Sequence, residues 1–346
     1  MTKNIQHSLA AFASTLLLLI VSVGITPTVQ AQGKLLDNDA LFKEKNYLYL
    51  EEALKEPQKV YKLKLIDDQL TSFPSEIGQL SLLQQLFLNR NQLTSLPAGI
   101  GKLINLQLLY LPHNQLTNLP TEIGKLSALR SLNLEDNKLT SLPSEIGTLS
   151  ALEWLYLKDN KLISLPSEMG KLNALQWLYL GSNEIKSLPS EIGTLIRLQS
   201  LDLGHNKLKV LPMEIGKLTA LQELYLYYNQ LTYLPAEIGT LSALQELDLG
   251  GNKLTSLPAE IGKLRTLRKL VLSHNQLTSL PAEIGTLSAL ESLELTGNQL
   301  TSLPTEIGKL SALKKLDLRW NKFSNQEKDR IKKLLPKCKI ELLDKL

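Results

Sequence analysis

Residues 129–149 read LRSLNLEDNKLTSLPSEIGTL, and that spelling returns with small changes every 23 residues. Asparagine stands at 91, 114, 137, 160, 183, 206, 229, 252, 275, 298 and 321, and proline recurs at the same spacing from 74 to 304. The general unit is LxxLxLxxNxLxxLPxEIGxL. In its LxL segment successive side chains point to opposite faces, so Leu132 and Leu134 share one face and Asn133 takes the other. A strand this short cannot bury an apolar face alone, but stacked copies share one continuous core. Each buried leucine contributes roughly 1.5–3 kcal/mol to that core.

The asparagine lies where the chain leaves the strand. Its amide both donates and accepts, so it can satisfy backbone groups of its own turn and of the neighbouring rung. Position 68 carries Asp instead, which is tolerable if the first rung has no upstream neighbour. LPxEIG then turns the chain onto the convex side. Proline suits the first turn of a short helix, glutamate its positive N-terminal end, and glycine a close approach between rungs. That role explains the glutamate column better than a cation ladder does, and the second repeat replaces the glutamate with Gly99.

Around the repeats, at 60–321, the sequence suggests covers. The segment LFKEKNYLYLEEALK (41–55) is expected to be helical, stopped by Pro57, within an N-terminal cap spanning 32–59. A C-terminal cap spans 322–346, where Ser324 and Glu327 have capping-box spacing. Its helix should run to about Leu335 before Pro336, with Lys339–Leu342 as an edge strand. The fold class expected is α/β: a solenoid with about 12 short parallel strands on its concave side and short helical turns on its convex side. At 4.7–4.9 Å per strand the concave face is about 55 Å long.

The 346 residues carry 38 Lys plus Arg against 34 Asp plus Glu, a formal charge of +4. That balance gives no electrostatic case for nucleic acid. With 43% apolar and 21% charged residues, broad disorder is excluded. The single cysteine, Cys338, cannot close an intramolecular disulfide. Leu9–Ile25 (LAAFASTLLLLIVSVGI) is uncharged, follows Lys3 and precedes Val29-Gln30-Ala31, the layout of a signal peptide (1–31) cleaved after Ala31. An uncleaved anchor is the rival reading, but 17 apolar residues are at the lower limit for a span. No stable membrane insertion is expected after cleavage. Without a cysteine near the cut, no lipid is attached there.

From about Val60 to Leu318 the chain resembles the leucine-rich repeat family, in its 23-residue LPxxIxxL subtype. The resemblance implies a horseshoe-shaped solenoid and noncovalent binding of a protein or peptide on the concave face. Signal-bearing members without disulfide caps look bacterial and exported, and some engage host components. The YLYLEEAL and KLLPKC stretches match that group. Similar repeats in Ras-pathway adaptors imply an alternative, an intracellular signalling scaffold. A structural, self-associating envelope protein is a third.

Catalysis has little support. His113, His205 and His274 share one repeat position and lie at least three rungs, about 14 Å, apart. They read as solvated loop residues. No phosphate loop, HExxH or GxSxG occurs, and no cofactor or metal is expected. Cys338 in the cap reads as a small buried hydrophobe.

Freedom to vary lies in the outward strand positions. Ten of the 18 aromatic residues stand there, including every tryptophan. Trp154, Tyr156, Trp177 and Tyr179 form one block on adjacent rungs, with Phe87 and Tyr110 upstream. Asp202, Glu223, Glu246 and Asp248 make an acidic stretch around Tyr225, and Tyr227 and Tyr228 continue it outward. Exposed apolar surface marks interaction sites, and Trp and Tyr dominate hot spots, so these thirteen residues are the expected partner surface of a monomer. Aromatic cross-strand pairs also stabilise sheets, which is the competing explanation. Pro112 lacks a ladder donor and is expected to open the sheet locally.

Overall fold

The structure, a computed structural model, describes residues 35–342. The leader expected at 1–31 lies outside them. Twelve three-residue strands, β2 (Lys62–Lys64) to β13 (Lys315–Asp317), begin 23 residues apart. All pair in parallel with their sequence neighbours, leucine opposite leucine, as in Leu132 against Leu155. The sheet is open and holds 14 strands rather than about 12, because β1 (Asn46–Tyr47) precedes β2 and β14 (Lys339–Glu341) follows β13.

The N-terminal cap is the larger departure from expectation. In place of one helix over 41–55 there are two short ones, α1 (Asn38–Lys43) and α2 (Leu50–Lys55), with β1 between them. Tyr47 is 3% exposed because it stands opposite Leu63 and closes the core. Its burial requires the extended, period-two reading of YLYL. At the other end α3 (Asn325–Leu334) starts on Ser324, whose hydroxyl accepts the Glu327 N–H at 3.2 Å. The capping box is only half formed, since Glu327 turns its carboxylate to the Leu303 N–H at 3.0 Å and to Arg330.

Between the strands, each convex turn is a five-residue 3-10 helix, such as Ser144–Thr148. The proline stands before its first turn, not in it: Pro143 is extended at φ −68°, ψ 150°, and its carbonyl accepts the Ile146 N–H at 3.1 Å. Its fixed φ suits that junction. The glycine is required by stacking, because a Cβ on Gly147 would lie 2.2 Å from the Glu168 carbonyl oxygen of the next rung. Gly99 has a similar cause, with the Ser75 carbonyl oxygen 2.2 Å from where its Cβ would be. No side chain fits where the other repeats carry glutamate.

The asparagines bind neighbouring rungs into one ladder. Asn183 is typical: its Oδ1 accepts the Leu162 N–H at 2.9 Å, and its Nδ2 donates to Leu157 O at 2.9 Å and Leu180 O at 3.0 Å. Asp68 makes no equivalent set, although β1 gives its rung an upstream neighbour. The Leu65 carbonyl receives Asn91 Nδ2 at 2.8 Å, and the Phe42 carbonyl receives the buried Lys62 ammonium at 3.1 Å. Those are the two carbonyls an asparagine at 68 would take: Leu65 O keeps the regular ladder bond from the next rung, and Lys62 substitutes at Phe42 O.

Pro112 does not open the sheet. In none of the neighbouring rungs does the N–H of this position donate to backbone, so proline removes no ladder bond. The ladder continues on both sides, Leu111 N–H to Asn133 O at 2.8 Å and His113 N–H to Glu135 O at 3.0 Å.

Candidate functional site: the concave sheet face

Each outward side chain on the concave face stands one rung from its equivalents, so a column is a stack at strand spacing. At that spacing flat rings stack on one another. The Trp154 and Trp177 rings lie 5.0 Å apart at 5°, and those of Tyr156 and Tyr179 lie 5.1 Å apart at 15°. The block is therefore contiguous but only partly exposed: Trp154 is 9% exposed, and the other three are half-buried. Burial raises the Tyr156 and Tyr179 hydroxyls above the usual phenol range. Phe87 and Tyr110 form a separate tilted pair at 6.0 Å, divided from the block by the buried Ser131 and Asn133.

Downstream of the block the carboxylates have local duties as well as charge. Asp202 Oδ1 accepts the Gly204 N–H at 2.8 Å, and Asp248 Oδ1 accepts that of Gly250 at 2.9 Å. Asn133 and Asp317 do the same for Glu135 and Arg319. Burial raises Asp202 and Asp248 above the usual carboxylate range, against the backbone hydrogen bonds that lower them. Glu223 accepts the Ser200 hydroxyl at 2.9 Å, and Tyr225 donates to Glu246 at 3.4 Å. Lys269 lies 3.6 Å from Glu246. Burial, helped by the Asp202 and Asp248 charges, pushes Tyr227 up to about 12.

Every residue before a ladder asparagine from 91 to 321 has positive φ, which carries its side chain along the rim. His205 stacks on Tyr228 at 4.6 Å and meets Tyr227 edge-on at 5.2 Å. His113 lies 2.7 Å from the Asp136 carboxylate, and His274 lies 6.1 Å from Trp320. The histidines are thus engaged with rim neighbours rather than simply solvated. Tyr228 remains 56% exposed, its ring lying where a side chain on Gly251 would be.

Two residues outside the expected set shape the face. Ser200 is 2% exposed, covered between Trp177 and Glu223, its neighbours in the same column, and it donates its hydroxyl to Glu223. Its small size between large residues was the available signal. Leu108 is a buried outward leucine continuing the apolar surface upstream. Cys338 is half-buried, and burial pushes its thiol up. Among the described residues no group of three or more His, Cys, Asp or Glu is placed to hold a metal ion. No helix there is long and apolar enough to cross a membrane.

A family model described as a leucine-rich repeat region matches residues 99–179, 145–229, 167–246 and 214–346. No curated protein matches the chain. Among solved structures, a leucine-rich repeat protein of Leptospira interrogans is 39% identical over 86% of this chain and 100% of its own, with a TM-score of 0.43. An internalin (inlF) of Listeria monocytogenes is 25% identical over 84% of each chain, with a TM-score of 0.71. The plant peptide hormone receptor RGFR1, in complex with RGF2, is 29% identical over 82% of this chain and 50% of that one, with a TM-score of 0.67. The chain therefore spans half of that receptor's length. Repeat regions of this kind are typically interaction modules without enzymatic activity, which supports a protein-binding role. With a repeat model covering 99–346 and one open parallel sheet built from the repeats, the chain belongs to the leucine-rich repeat family.

Proposed function

We propose that this protein is an exported, non-enzymatic module that binds a protein or peptide partner on its concave face. The observation that carries this reading is the stacked block Trp154, Tyr156, Trp177 and Tyr179, which faces outward while the core is made of leucine and isoleucine. Large aromatic surfaces of this kind serve as interface anchors. RGFR1, a structural neighbour, is a receptor in complex with a peptide hormone. Export rests on the apolar leader at 9–25 and its cleavage pattern, and a host component is the partner class implied by resemblance to exported bacterial members.

The test is a pull-down from envelope and host extracts, comparing the purified protein with a variant carrying serine at positions 154, 156, 177 and 179. Circular dichroism first establishes that the variant folds. A protein retained by the wild type and lost by the variant supports the reading; equal retention by both refutes the placement. N-terminal sequencing of the mature protein checks export, and an intact Met1 in the cytosol would instead favour the scaffold alternative.

A further inference from the structure

Between each ladder asparagine and the proline that follows it, the chain runs along one flank of the solenoid, and there the repeats hardly vary. In the stretch NxLxxLP the second x is threonine in eight of eleven repeats, the third x is serine or asparagine in nine, and the residue after the proline is Ser, Ala or Thr in ten. The exceptions fall together. They are Ile163, Lys186 and Lys209 in the first of these columns, Val210 and Tyr233 in the second, and Met213 after its proline. All six are exposed on four consecutive rungs, the four apolar ones by 39–62%. Backbone bonds keep those rungs in register along the flank: Lys186 N–H to Ile163 O at 3.3 Å, Lys207 N–H to Ile185 O at 2.9 Å and Gln230 N–H to Leu208 O at 2.9 Å. The core beneath is closed by the fully buried Leu162, Ile185, Leu208 and Leu231, so it does not need the outward apolar residues.

The same flank is basic. Lys161 and Lys207 join Lys186 and Lys209 against Glu184, the one carboxylate between ladder position and proline in any repeat. Lys207 Nζ donates to Glu184 at 2.9 Å, which holds that carboxyl below its usual range. Among the described residues Lys161, Lys186 and Lys209 have no carboxylate within 4 Å. The convex glutamates begin only beyond the prolines.

Lysine is depleted at the centres of protein interfaces, where its strongly hydrated ammonium would lose water. At a bilayer surface the same mixture is favourable. Ammonium groups stay among anionic headgroups, while aliphatic and tyrosine side chains enter the apolar boundary beneath. We propose that this flank docks the protein peripherally on a membrane carrying anionic phospholipid headgroups. Lys161, Lys186 and Lys209 meet the phosphates, and Ile163, Val210, Met213 and Tyr233 reach the acyl boundary. Because the flank joins the concave face to the convex turns, docking by it leaves the concave face open.

The test is co-sedimentation with vesicles of phosphatidylcholine alone and of an equal mixture with phosphatidylglycerol. The protein used lacks residues 1–31, so that the apolar leader contributes nothing. Lys186→Thr with Lys209→Thr removes two of the charges, and a full variant adds Ile163→Thr, Val210→Ser, Met213→Ala and Tyr233→Ser. Each new residue already stands at the equivalent place in other repeats, and circular dichroism checks the fold. The wild type should bind the mixed vesicles and not the neutral ones, the double variant about thirtyfold more weakly, and the full variant not at all. The fourfold serine variant of the concave face should bind like the wild type, which separates this test from the concave-face reading. Absence of binding to the mixed vesicles, equal binding to neutral ones, or equal binding by the full variant overturns the proposal. So does loss of vesicle binding in the fourfold variant, or an acidic envelope protein held through these residues when vesicles are not.

Discussion

Replacing Asn183 with alanine tests the asparagine ladder directly. The side chain accepts the Leu162 N–H at 2.9 Å and donates to Leu157 O and Leu180 O at 2.9 and 3.0 Å. Asn183 is buried in the middle of the array, so alanine strands the Leu162 amide where water has little access, while Leu157 O keeps Asn160 Nδ2 at 3.1 Å and Leu180 O keeps Asn206 Nδ2 at 3.0 Å. With one stranded amide at about 1–3 kcal/mol and one of two hydrogen bonds lost at each carbonyl, the loss should be about 2–4 kcal/mol. Rungs contact only their neighbours, so the damage stays local and the unfolding transition should split near rung 183. Urea denaturation followed by circular dichroism reads the stability, and amide exchange at Leu162 reads the locality. Asp68→Ala is the internal control: Asn91 and Lys62 hold the carbonyls that an asparagine there would take, so its cost should stay below about 1 kcal/mol. If both variants cost the same, or Asn183→Ala costs under about 1 kcal/mol, the ladder is not what couples the rungs.

Glycine stacking gives a paired prediction: Gly147→Ala meets the Glu168 carbonyl at 2.2 Å, whereas Gly308→Ala meets only Leu334 atoms at 3.4 Å. Thermal denaturation should show the first destabilised by about 1–3 kcal/mol and the second nearly unchanged; equal effects would refute the close-approach argument. A pH prediction follows from Asp202 and Asp248, whose folded pKa values burial raises. As pH rises from about 4, the unfolded chain gives up these protons first, so the pair's contribution is fully present below the unfolded pKa and is lost as pH climbs through the folded values. The double variant Asp202→Asn, Asp248→Asn keeps an acceptor for the glycine amides and should be more stable than wild type at pH 7, the gap closing at pH 3.5 in urea melts. A gap that widens on acidification would reverse the assigned sign.

Legibility along the sequence followed the repetition. The LxL leucines, the convex turns and the asparagine ladder were readable because every rung places them against the same neighbours. The caps were less readable. YLYLEEAL has enough apolar residues for a helix, and only the demand that Tyr47 close the core against Leu63 makes its first half a strand. Pro112 looked like a defect because proline lacks a donor, yet the ladder leaves that position's N–H unused. The thirteen expected site residues do lie on one face or its rim, but in separate groups: Phe87 with Tyr110, the four-ring block, and the carboxylates with Tyr225, Tyr227 and Tyr228.

A period of 23 determines by itself the solenoid, its buried columns and its outward ones, because each residue's environment is set by its place in the unit. What the outward residues do to one another depends on ring orientation and rung spacing, which no spacing in sequence specifies. Only the tertiary structure shows tryptophan lying flat on tryptophan, His205 between two tyrosines, aspartates capping glycine amides, and the Ser200 hydroxyl buried against the Glu223 carboxylate. Side chains 23 residues apart become neighbours only when the rungs stack, and their rotamers are then chosen by packing rather than by local propensity.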